Sequence, residues 1–118
     1  MLILSLKNQK EFDIVNKVGK KQHSPYFIAI IAKNFSALPS IGRNMIFFGM
    51  KVGKKLGKAV IRNKIKRRIR HLIRLISKDL QLNNNSMGII IIPKKGFEKI
   101  EFKNLIDSLE LLIIQRKS

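Results

Sequence analysis

Between Lys51 and Lys78 the chain carries twelve Lys or Arg residues and not one Asp or Glu. Five of its seven arginines, Arg62, Arg67, Arg68, Arg70 and Arg74, fall inside that segment. Guanidinium forks match phosphate oxygens in pairs and ammonium groups supply point charge, so the chemistry on offer is recognition of a polyanion. Bond-breaking chemistry has no such concentration. The seven acids, Glu11, Asp13, Asp79, Glu98, Glu101, Asp107 and Glu110, are scattered and form no nuclease-like constellation. His23 and His71 lack partners at ligand spacing and read as ordinary surface or helix residues. No catalytic or metal-binding residue is therefore expected in the polypeptide.

The charge balance of the 118 residues agrees: 25 basic against 7 acidic side chains give a formal net charge of +18. Such a charge opposes compaction by self-repulsion, and a polyanionic partner removes the conflict. With hydrophobic residues at 45% the chain can still bury a core, so it is expected to fold as one domain over 1–118. It has no cysteine, which excludes disulfides and thiolate metal sites. The opening MLILSLKNQK is too short in apolar residues for a signal-peptide core, and no run reaches transmembrane length. A cytoplasmic protein is expected.

The basic residues need an element to hold them. From Lys58 to about Leu80, Ile61, Ile65, Ile69, Leu72, Ile73, Ile76 and Leu80 recur at helical spacing and fall within an arc of about 120°. The opposite arc carries Asn63, Lys64, Lys66, Arg67, Arg70, His71, Arg74 and Lys78. Six like-charged pairs stand four residues apart on this helix, 58/62, 62/66, 64/68, 66/70, 70/74 and 74/78. At about 0.2–0.5 kcal/mol each they cost roughly 1–3 kcal/mol. Burial of the apolar stripe offsets this at up to about 1.5–3 kcal/mol per large side chain. The helix is thus expected only when docked on a core. A membrane-surface helix would need that stripe for lipid, and no zinc spacing, helix-turn-helix or basic-zipper pattern favours DNA.

Around it, Asn8 and Glu11 suggest a capping box opening a helix over about 8–18, with Phe12, Val15 and Val18 on one face and Gly19 as its stop. Strands are expected over 26–32 and 45–52, separated by a loop over 35–44. After the long helix, 83–88 ends it, 89–92 reads as an interior strand, 93–96 as a turn, and Phe102, Leu105, Ile106, Leu109, Leu112 and Ile113 as a last helix. The strand–helix–strand unit in the middle implies two parallel strands. Tyr26, Phe27, Phe47 and Phe48 are most simply strand core, and Phe12 is as readily a core residue as a functional one.

The run Gly49-Met-Lys-Val-Gly-Lys-Lys-Leu-Gly-Lys-Ala-Val-Ile-Arg-Asn-Lys-Ile-Lys-Arg-Arg-Ile-Arg70 closely resembles the signature of the bacterial ribonuclease P protein subunit. In that signature a strand ends in Lys-Lys, a Gly-x-Ala-Val turn follows, and an Arg-Asn-Arg helix begins. The resemblance covers roughly residues 6–115. It implies an α/β (α+β) fold like the second domain of ribosomal protein S5, with three helices, a single four-stranded mixed sheet and a left-handed β-α-β crossover. The fourth strand would lie around 20–24. It also implies a role as the protein partner of a catalytic RNA, an endonuclease that hydrolytically removes the 5′ leader of precursor tRNA using RNA-bound Mg²⁺. The polypeptide alone is not expected to be catalytic.

Carried over by position, Lys54, Lys55, Lys58, Arg62, Asn63, Lys64, Arg67, Arg68 and Arg74 would meet the catalytic RNA. Phe12, Ile28, Ile30, Lys51, Lys66 and Arg70 would face the leader. The chain departs from the family pattern at three places. Asn16 stands where a second helix aromatic is often found, Ile30 where a sheet aromatic is frequent, and Lys64 in place of the motif's last arginine. Leader binding would then lean more on charge and apolar contact than on stacking. The competing reading is a structural RNA-binding protein with no part in catalysis. A protein-only nuclease would need a carboxylate cluster that the sequence does not offer.

Overall fold

A computed structural model describes residues 2–6, 9–33, 45–79 and 87–114. The expected loop over 35–44, the capping residue Asn8, Leu80 and most of the 83–88 segment lie outside the described residues. In chain order the elements are β1 (Leu2–Ser5), α1 (Gln9–Val18), β2 (Lys20–His23), β3 (Phe27–Lys33), β4 (Met45–Met50), α2 (Ala59–Asp79), β5 (Met87–Pro93) and α3 (Phe102–Ile114). Short 3-10 turns at Lys54–Leu56 and Phe97–Lys99 precede α2 and α3.

The three helices and the mixed sheet are those expected, and β2 to β5 are the four expected strands. A fifth, β1, adds at the edge, so the order is β1-β4-β5-β3-β2. β4 runs parallel to both β1 and β5, whereas β3 runs antiparallel to β5 and β2. The parallel β4–β5 pair is the one whose crossover contains α2. β5 is longer than the apolar run alone suggested, because Met87 and Gly88 are held on both sides, by Ile46 and Phe47 of β4 and by Lys33 and Ala32 of β3. β4 is shorter than expected: after Met50, one further N–H, that of Lys51, reaches the Ile91 carbonyl at 3.0 Å before the chain turns away.

The sheet is covered on both faces, and strand alternation divides the core accordingly. On one side Phe27, Ala29 and Ile31 of β3, Ile46 and Phe48 of β4, and Ile89 and Ile91 of β5 meet Ile65, Ile69, Leu72, Ile73 and Ile76 of α2 and the inner side of α3. On the other, Ile30, Ala32, Phe47 and Ile90 meet Val15 of α1 and Leu6. An unbroken isoleucine run suits β5 because each of its faces is interior. The β2–β3 connection is tied by Ser24, whose Oγ accepts the N–H groups of Tyr26 and Phe27, both at 3.1 Å.

The start of α2 depends on one glycine. Gly57 has φ of 139°, where a side chain is strained, and its N–H closes the 3-10 turn on the Lys54 carbonyl at 3.2 Å. A Cβ there would also stand 3.1 Å from Ile61 Cδ1. Gly57→Ala is expected to lower unfolding free energy by about 1–3 kcal/mol, read as a lower urea midpoint at unchanged slope.

Candidate RNA interface

α2 is the element that displays the charge. Its stripe of Ile65, Ile69, Leu72, Ile73 and Ile76 is 0–2% exposed, which fixes the rotation of the helix and turns the remaining positions outward. Two flanks and a crest result. Lys66 and Arg70 lie on the flank toward the end of β4 and α1. Arg68 and His71 lie on the flank toward α3. Asn63, Arg67 and Arg74, all exposed, form the crest. Lys54 and Lys55, exposed in the 3-10 turn, and Lys58, just before the helix, extend the positive surface past the N-terminus of α2. That terminus has no acid in its first turn, so its unpaired N–H groups and positive dipole end add to the cations instead of being neutralised. Arg62 is half-buried and donates Nε–H to the Gly57 carbonyl at 3.2 Å, which binds the entering chain to the first turn.

Beside the first flank lies a cleft of about 370 Å³. Its floor is the end of β4, Phe48, Gly49 and Met50, continued by Val52. Ser5, Leu6 and Phe12 close one side, and Lys66 and Arg70 rise on the other. Phe12 approaches closely because Gly49 has no side chain: a Cβ there would fall 2.5 Å from Phe12 Cζ and 2.6 Å from Cε1. An aromatic edge, an apolar floor and two cations on one rim are suited to a single-stranded nucleic acid, with base against ring and phosphate against charge. Among the described residues no group of three or more His, Asp or Glu stands together.

The comparisons with known proteins agree with this geometry. A family model described as ribonuclease P matches residues 4–116. The ribonuclease P protein component of Rickettsia canadensis is 54% identical over 116 residues, 98% of each chain. That of Rickettsia bellii is 53% identical, covering 97% of this chain and 94% of its own. The chain belongs to the ribonuclease P protein family. Among solved structures, the RNase P protein of Staphylococcus aureus superposes with a TM-score of 0.71 at 26% identity, covering 96% of this chain and 94% of its own. That of Thermotoga maritima gives 0.70 at 25% identity over 97% of both chains.

Phe12, Lys66 and Arg70 converge on the cleft, though they come from α1 and α2 on opposite faces of the sheet. Lys51 is exposed on the chain between two residues of the cleft floor, Met50 and Val52. Lys54, Lys55, Lys58, Asn63, Lys64 and Arg67 are all exposed on the turn and on α2. Phe12 serves both readings, since it packs on the α1-side core as well as lining the cleft.

Two expectations need correction. Ile30 is 4% exposed, closed beneath α1 with Val15, and offers no surface to a ligand; Ile28, two residues earlier on the same face, is half-buried and pairs with Ile92 of β5. Arg68 faces inward toward α3. Its Nη1 donates to the carbonyls of Phe97 at 3.1 Å and Glu98 at 2.6 Å, and its Nη2 to that of Ile100. The guanidinium carbon stands 5.8 Å from the centre of the Phe102 ring, on which His71 also rests at 4.8 Å. Two of the carbonyls belong to the 3-10 turn and the third to Ile100, which follows it; the turn inserts Phe97, 1% exposed, edge-on against Phe27. Arg68 spends its donors on the protein itself. Sequence reasoning also missed the cleft floor, for which the one available signal was an isolated glycine inside the Phe48-Gly49-Met50 strand.

Arg67 and Arg68 are therefore expected to separate. Arg68→Ala should cost about 2–4 kcal/mol of stability in urea unfolding, because three inward carbonyls lose charged donors. It should leave RNA affinity of the folded protein nearly unchanged. Arg67→Ala should do the reverse, weakening RNA binding with a change in stability within about 0.5 kcal/mol. Gly49→Ala should push the Phe12 ring off the cleft floor and weaken binding of a single-stranded RNA probe, measured by fluorescence anisotropy, more than binding of a duplex.

Proposed function

We propose that the chain acts as the protein subunit of the ribonuclease P ribonucleoprotein, binding the catalytic RNA and the 5′ leader of precursor tRNA so that the leader is removed endonucleolytically. One observation carries the reading: an unneutralised basic helix stands directly beside a cleft where Phe12, Lys66 and Arg70 meet. The crest and N-terminal turn of α2, from Lys54 to Arg67, supply the surface for the catalytic RNA. The cleft flank takes the leader. The name shared by the relatives supports this assignment of partners, as does the burial pattern, which leaves Lys54, Lys55, Lys58, Lys64 and Arg67 exposed and commits the apolar stripe to the core.

The protein's contribution is to bind and to orient. Its cations offset the repulsion between a leader and an RNA subunit that both carry phosphate, and release of condensed counterions drives the association. Holding the leader in the cleft fixes the register of the scissile bond against the RNA, turning a loose encounter into a positioned one. Mg²⁺ held by the RNA supplies the hydrolytic chemistry. The setting is the cytoplasm, where such an RNA acts.

The test is precursor-tRNA cleavage at low Mg²⁺ with the protein alone, a bacterial ribonuclease P RNA alone, and both. Cleavage at the mature 5′ end in the mixture alone is expected. RNA binding without rescue of cleavage would instead favour a structural RNA-binding protein. In the reconstituted enzyme, Lys66→Ala with Arg70→Ala should reduce the slope of log affinity against log salt by about 1.4, the share of two single-strand phosphate contacts.

A further inference from the structure

The flank of α2 turned away from the cleft carries a stack of three side chains. Phe102, the first residue of α3, is half-buried and packs against the α2-side core. Two groups from α2 rest on its ring. The Arg68 guanidinium carbon stands 5.8 Å from the ring centre, and the His71 ring lies at 4.8 Å, tilted by 38°. Arg68 is held by the carbonyls of Phe97, Glu98 and Ile100, and Phe102 by the core, so the support beneath His71 is fixed. His71 itself is exposed. Shielding the phenylalanine is one use of such a ring, and an aliphatic side chain would serve that use equally well.

The charges around His71 suit a nucleotide. Arg67 and Arg74, four residues before it and three after, are its neighbours on the helix surface, and both are exposed. Lys64 and Lys78, seven residues to either side, continue the same line and are exposed too. A supported ring between cations is an arrangement that binds an unpaired base, ring against ring, with the adjoining phosphates on the guanidinium forks. A ring already fixed loses little freedom when the base arrives. The cleft with Lys66 and Arg70 opens on the opposite flank, so the base comes from the RNA that covers the crest. We infer that His71, backed by Phe102 and Arg68, is a stacking platform for one unpaired base of the catalytic RNA, with Arg67 and Arg74 on the phosphates beside it. A continuous duplex has no free base face to offer, so the platform selects a loop, bulge or junction. The inference rests on the subunit reading above and deepens it, adding a base contact to a surface that otherwise meets phosphate.

The experiment measures equilibrium binding of the full chain to a bacterial ribonuclease P RNA, without precursor tRNA, over a range of salt. His71→Ala should weaken binding roughly tenfold at every salt concentration and leave the slope of log affinity against log salt unchanged, because a stacked base releases no counterion. His71→Tyr, which keeps a ring and carries no charge, should retain most of the affinity. His71→Leu, which still covers Phe102 but cannot stack, should lose it as alanine does. Urea unfolding of the three variants checks that each is folded under the binding conditions. A flatter salt slope for His71→Ala, affinity kept by leucine, a loss with tyrosine equal to that with alanine, or no loss at all overturns the platform. Salt-steep binding by the wild-type protein leaves the subunit reading in place in each of those cases. A loss that appears only once precursor tRNA is added also overturns the platform, since the base then belongs to the substrate. If the wild-type protein does not bind this RNA, the subunit reading falls, and the platform with it.

Discussion

The structure depends on a conflict within α2. Like charges four residues apart oppose the helix, and with no acid between Lys51 and Lys78 there is no internal relief. What holds the helix is the near-complete burial of its isoleucine and leucine stripe against Phe48, Ile89 and Ile91 on the sheet. Because the stripe is narrow, docking also fixes rotation, and rotation decides which cations face which neighbour. A sheet with one face uncovered could not serve, since β5 must bury isoleucines on both sides. α1 on the far face is thus required by the core. Its position is also what brings Phe12 over Gly49 to the edge where Lys66 and Arg70 arrive from the opposite side.

The two flanks of α2 use the same residue type for different work, and the difference is one of hydrogen-bond geometry. Arg68 meets three backbone carbonyls of a turn that has buried its phenylalanine and turned its acceptors toward the helix. Carbonyls in such a place need donors, and a guanidinium with five N–H groups answers several at once. Arg70, two residues on, faces the cleft, where protein acceptors are few and the fork remains available. Within one run of basic residues, then, the fate of each is set by what the helix rotation places opposite it.

That explains which parts were legible in the sequence. The helical stripe, the interior strand and the turn glycines announce themselves through period and residue type, and α1, β3 and α3 fall within two residues of where those signals put them. The convergence of Phe12 with Lys66 and Arg70 needed the family resemblance, because it joins residues far apart in the chain. Ile30 and Arg68 went astray for a common reason: motif position transfers a role but not the depth of burial. Ile30 lies beneath Val15, and Arg68 is claimed by a turn about thirty residues later. β1 was invisible because four residues at an edge carry too little pattern, and its pairing with β4 spans more than forty positions.

The scarcity of aromatics at the groove follows the same logic of local compensation. Where an aromatic is frequent on the sheet, Ile30 closes against α1, and the second helix position holds Asn16. Stacking capacity is thereby concentrated at Phe12 and the edge of the groove. Charge remains plentiful: Lys66 and Arg70 stand along the rim of the cleft. Electrostatic attraction is long-ranged and indifferent to base identity, whereas stacking is short-ranged and needs a fitted ring. A groove that keeps its cations while reducing its rings relies on charge more than on fitted stacking.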